Sequence, residues 1–162
     1  MTGPSALTHV DASGAARMVD VSGKEPSSRT AVATGIVRTT VEVTELLRDG
    51  NLPKGDALAT ARIAGIMAAK RTPDLVPLCH PIAISGVTVD LQVQPGEVRI
   101  SATVRTTDRT GVEMEALTAV AVAGLTLHDM IKAVDPAAVL DAVRVERKDG
   151  GKTGTWTRPE GR

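Results

Sequence analysis

The chain has 162 residues, 19 basic and 19 acidic side chains, and a formal net charge of zero. That length builds one domain with a proper core and is short for two, and the neutral balance gives no global pull toward nucleic acid. A single cysteine excludes an intramolecular disulfide framework and points to a reducing, cytoplasmic setting.

Residues 1–29 are rich in Gly, Ser, Ala and charge and hold no period, so they read as a mostly flexible N-terminal segment ahead of one domain over residues 30–157. The opening MTGPSALTHVDASGAARMVD has neither the basic start nor the apolar core of a secretory signal. From Arg29, RTAVATGIVRTT carries small and β-branched residues on both parities and predicts a strand. TTVEVTELLRDGN predicts a short helix capped by Thr39 or Thr40 and stopped by Gly50, with Val43, Leu46 and Leu47 on one face. The next helix is clearer. Asp56 is its N-cap, Ala57 to Lys70 its body, and Pro73 and Pro77 forbid simple continuation. Val87, Val89, Leu91 and Val93 alternate with polar residues, QPGE makes a turn, and Val98, Ile100, Ala102 and Val104 alternate again. This predicts a hairpin. A long helix follows from about Glu113 to Val134, its middle ALTAVAVAGL apolar nearly all round and therefore buried on more than one side. Leu140 to Arg147 reads as a last strand before the Gly-rich basic turn RKDGGKTG.

The order is β-α-α-β-β-α-β. Without the extra helix it is the split βαβ pattern of a ferredoxin-like α+β fold, an antiparallel sheet with helices on one face. There is no Phe, no Tyr and one Trp, so the core is built from aliphatic side chains and subunit association is expected to supply part of the burial. The same lack removes the base-stacking platform of RNA binders. No uninterrupted apolar run approaches the ~20 residues of a membrane span, so neither nucleic acid nor membrane is expected as a partner.

Four stretches carry candidate chemistry, each with a plainer reading. In PLCHP, Cys79 and His80 suggest a metal or an activated thiol. A zinc site takes three or four ligands, though, and His9 and His128 stand apart. Neighbours in an extended segment also point to opposite sides, so the thiol and imidazole would hardly face each other. The plainer reading is a buried Cys beside a hydrogen-bonded His. Lys54, just before a helix start, suits an anion or is simply solvated. Asp129 and Lys132 are three apart on one helix face, and Glu115 falls within roughly 40° of that face, with an apolar stretch between. Charges at the ends of an apolar helix can simply be emerging into water, a reading strongest for Glu115. Lys148 and Lys152 flank glycines without the spacing of a Walker motif. Together these stretches are an inventory for acid–base work on an anionic, phosphate-bearing molecule.

Recognition goes further. RMVDVSGK (17–24), KGDALATARIAGIMAAKRTPDLVPLCHP (54–81), TGVEMEALTAVAVAGLTLHDMIKAVD (110–135) and GGKTG (150–154) closely resemble the molybdenum-cofactor biosynthesis protein C family. The members of that family are cyclic pyranopterin monophosphate synthases. The resemblance runs from about Leu7 to Trp156, with His128 standing where an aromatic is common. It implies a lyase that converts 3′,8-cyclo-7,8-dihydro-GTP into cyclic pyranopterin monophosphate and releases pyrophosphate, an early step of molybdenum-cofactor formation. It implies Asp129, Lys54 and Lys132 as catalytic residues, and Leu78, Cys79, His80, Glu113, Met114, Glu115 and Lys148 as substrate contacts. No metal site and no required cofactor are implied, with Mg²⁺ on the triphosphate left open. The family assembles as a hexamer, a trimer of dimers, with active sites between subunits. The competing reading is a non-catalytic ferredoxin-like paralogue that binds a nucleotide or pterin.

Overall fold

The computed structural model describes residues 9–161. Expectations for residues 1–8 therefore lie outside the described residues. The elements are β1 (Ser27–Arg38), α1 (Val41–Asp49), α2 (Ala57–Ala69), α3 (Thr72–Leu75), β2 (Ile84–Gln94), β3 (Glu97–Asp108), α4 (Glu113–Ile131), β4 (Val139–Asp149) and β5 (Trp156–Thr157). The sheet order is β2-β3-β1-β4-β5, every pair antiparallel. With β5 set aside, this is the ferredoxin-like α+β arrangement that the element order predicts.

The caps act as the sequence suggests. Thr40 accepts from the Val43 N–H, Gly50 closes α1 at φ 68°, and Asp56 accepts from the Ala59 N–H. Two elements escape the sequence pattern. The short α3 places Pro73 in its first turn, where a missing N–H costs nothing, so this proline starts a helix as well as ending one. Strand β5 has only two residues and no period to detect. Helix α4 ends at Ile131, and the chain turns there through Val134 N–H to Ile131 O.

On β1, Ala31, Ala33, Gly35 and Val37 point into the core and meet α4. A Cβ at Gly35 would stand 2.7 Å from Val120 Cγ1, so the helix rides directly on the strand backbone. Helix α4 packs on α2 on its other side and buries Ala116, Ala119, Val120, Ala123, Leu127 and Ile131. Among the described residues it is the one helix long and apolar enough to cross a membrane, and half of that apolar window is buried inside the fold. It is the central core helix.

The α2–α4 contact depends on a gap the size of a hydrogen atom. A Cβ at Gly65 would lie 2.9 Å from the Ala119 carbonyl oxygen and 3.2 Å from Ala123 Cβ. Gly65→Val should therefore push the helices apart and lower stability by about 1–3 kcal/mol, read as a fall in the melting temperature.

Candidate active site

The loop before α2 brings Lys54 against the C-terminal end of α4. Its Nζ donates to Asp129 Oδ2 at 3.0 Å and to the Asp129 carbonyl at 2.9 Å. Lys132, one turn on, places its Nζ 2.7 Å from Asp129 Oδ1. Both oxygens of one carboxylate are thus held by ammonium groups, and about half of each side chain stays exposed. Hydrogen bonds from Lys132 and then Lys54 hold the Asp129 carboxyl down at about 2. Asp129 is a fixed anion that aligns two cations, which suits phosphate oxygens arriving from solvent.

A second group gathers at the other end of α4. Its first turn carries Glu113, Met114 and Glu115. Glu113 pairs with Lys148 of β4 at 3.0 Å. A cavity of about 400 Å³ opens beside that pair, lined also by Thr153, Thr155 and Trp156. The basic turn beyond Lys148 folds tightly because Gly150 and Gly151 take φ 93° and 73°. A side chain at Gly150 would strike the Ser28 carbonyl, and one at Gly151 the Arg29 guanidinium. Opposite, α3 delivers the PLCHP segment. The Cys79 N–H closes a turn onto the Val76 carbonyl, and His80 Nε2 lies 2.7 Å from the Val19 carbonyl.

Glu115 corrects one expectation. It does not emerge into water. Only 2 % of it is exposed, and its Oε2 is buried without a hydrogen-bond partner. Burial, with the Glu113 charge added, pushes its carboxyl up to about 7. Burial and the nearby Glu115 also push the Cys79 thiol up, so it stays protonated and is a poor nucleophile. Among the described residues, no three His, Cys, Asp or Glu side chains gather as a metal site.

The residues expected to act together therefore fall into two groups, each brought together by the fold. Glu113 and Asp129 are sixteen residues apart on a continuous helix, about 24 Å at the rise of an α-helix. Helices α2 and α4 run antiparallel, so Lys54 enters the layer at one end and His80 leaves it at the other.

A family model described as the MoaC family matches residues 18–151. The chain belongs to the MoaC family. Among the relatives of this MoaC chain, a protein of Streptomyces coelicolor named cyclic pyranopterin monophosphate synthase is 68 % identical over 94 % of the chain and 89 % of its own length. One of Nocardioides sp. with the same name is 65 % identical over 96 % of the chain and 98 % of its own length. A Mycobacterium bovis protein named cyclic pyranopterin monophosphate synthase 2 is 64 % identical, covering 94 % and 91 %.

Within this MoaC fold, sequence reasoning missed the contact partner of His80. Val19 is far from it along the chain and acts through its backbone, which leaves no residue-type signal. The one hint was the RMVDVSGK stretch itself. Arg29 was also missed. It donates to the Asp108 and Arg109 carbonyls and fixes the loop that leads into α4.

Proposed function

We propose that this chain is a cyclic pyranopterin monophosphate synthase, a lyase of molybdenum-cofactor formation. Its substrate is 3′,8-cyclo-7,8-dihydro-GTP. A sugar hydroxyl displaces pyrophosphate to form the cyclic phosphate, one ring opens, and the pterin ring closes. No electrons enter or leave, so the site must move protons and hold charge.

The observation that carries the reading is the carboxylate of Asp129 gripped by Lys54 and Lys132. Two lysines aligned by one carboxylate meet phosphate oxygens and pass protons, and a non-catalytic binder would not need all three. The names of the 64–68 % identical relatives support the same reaction. At the other end, His80, Glu113, Glu115 and Met114 hold the purine-derived ring along a wall made by Leu78 and Cys79, while Lys148 adds a cation. The chain's own lysines supply positive charge without a resident cofactor. Any Mg²⁺ on the triphosphate belongs to the substrate.

A separation of about 24 Å is too long for one small molecule to bridge. The working site therefore combines Asp129, Lys54 and Lys132 of one copy with His80 and Glu115 of another. Ile63, Met67 and Leu125 are more than half exposed on the α2–α4 layer, between the two groups. A two-fold axis through that apolar stripe would reverse one layer on the other and set opposite ends together. The assembly is a hexamer, a trimer of such dimers, in the cytoplasm, with neither membrane nor nucleic acid as partner.

The test is direct. Purified protein is given the cyclised dihydro-GTP, and oxidised pterin product is read by fluorescence. Product supports the proposal, and none from well-folded protein refutes it. Within that assay Cys79→Ala should keep much of the activity, because the raised thiol does no chemistry. His80→Ala should lose roughly a hundredfold or more in kcat/KM.

A further inference from the structure

We propose that the Met18–Lys24 segment is a positioning strap for His80, and that the Val19 carbonyl holds the imidazole in its Nε2–H tautomer and leaves Nδ1 to exchange protons. The role of Nδ1 toward substrate rests on the synthase reading; the tautomer does not.

The argument begins with the atom types. A carbonyl oxygen carries no hydrogen, so at 2.7 Å the His80 Nε2 must be the donor. In the neutral ring the proton then sits on Nε2, and Nδ1 carries the free lone pair. Nδ1 meets no hydrogen-bond partner among the described residues. If the ring takes up a proton, the bond to Val19 persists and the new proton is carried at Nδ1. One nitrogen is structural and the other is free to act.

The strap has its own reasons to hold shape. The Ser22 N–H donates to Asp20 Oδ1 at 2.9 Å, and the Lys24 N–H to the Val21 carbonyl at 3.0 Å. Its far end is tied down by Arg109, whose Nε donates to the Lys24 carbonyl at 2.8 Å. The segment is thus held at its far end and braced within, and its Val19 carbonyl rests on the imidazole. Val19 acts only through His80 and is a positioning residue.

The full-length protein, labelled with ¹⁵N, tests this through long-range ¹H–¹⁵N correlations of its three histidines. His80→Gln identifies which signal belongs to His80. We expect the neutral His80 ring to carry its proton on Nε2. A proton on Nδ1 overturns the proposal. Trypsin supplies the second reading, since Arg17 and Lys24 flank the strap. His80→Ala should speed cleavage there several-fold, whereas His80→Gln, whose amide can still donate to the Val19 carbonyl, should not. Equal cleavage of wild type and His80→Ala also overturns it. Inactive protein with the Nε2–H tautomer would refute only the synthase reading, and active protein with the opposite tautomer only the strap.

Discussion

Asp129→Asn should cut turnover by roughly a hundred- to ten-thousandfold while leaving the size of the oligomer unchanged. Asparagine keeps the shape and one accepting oxygen. It removes the negative charge that aligns Lys54 from 3.0 Å and Lys132 from 2.7 Å. Without it the two ammonium groups repel each other, and their positions change. Stability should barely move, because all three side chains are about half exposed and their attraction is screened by water. Steady-state kinetics together with sedimentation separate the two effects. Normal turnover by this variant would show that Asp129 is not catalytic, even in a MoaC chain.

The second large effect is on stability, from Glu115. Its ordinary value is 4.5 and the fold raises it to about 7. Below 4.5 both folded and unfolded chains carry the proton. Between 4.5 and 7 the unfolded chain releases it and the folded chain keeps it, so stability falls as pH rises through that window and levels off above 7. The loss is about 3 kcal/mol, the shift converted at its free-energy equivalent. At fixed protein concentration, that corresponds to a drop on the order of 10 °C in melting temperature between pH 4.5 and 8. Glu115→Gln has no proton to lose. It should flatten this slope and melt above the wild type at pH 8. Parallel slopes for the two proteins would mean that Glu115 ionises normally.

How far these features could be read from the sequence depends on their range. The caps at Thr40, Gly50 and Asp56 are local chemistry, and each appears as written. The hairpin of β2 and β3 follows from strict alternation around a turn. The apolar run of α4 signals burial on two sides, and Gly35 and Gly65 provide the close approaches that make it possible. Even the distance between Glu113 and Asp129 is legible, since helix rise fixes it once α4 is recognised. What is not legible depends on contacts across the chain. Glu115 lies on a face that a helical pattern would assign to solvent, and it is buried only because other segments close around the first turn of α4. The bond from His80 to Val19 joins a side chain to a distant backbone oxygen. The α3 turn was hidden by its proline, which reads as a stop wherever it occurs.

The central claim is that two half-sites, remote within one chain, work together between two copies. Mixing two inactive variants tests it most directly. Asp129→Asn damages one half-site and His80→Ala the other. If the site is shared, random exchange of subunits restores an intact pair in about one quarter of the sites. The mixture should therefore recover roughly that fraction of wild-type product formation, from two preparations that each make almost none. No recovery, in a mixture shown by mass to have exchanged subunits, would mean that each chain carries its own complete site and would contradict the account.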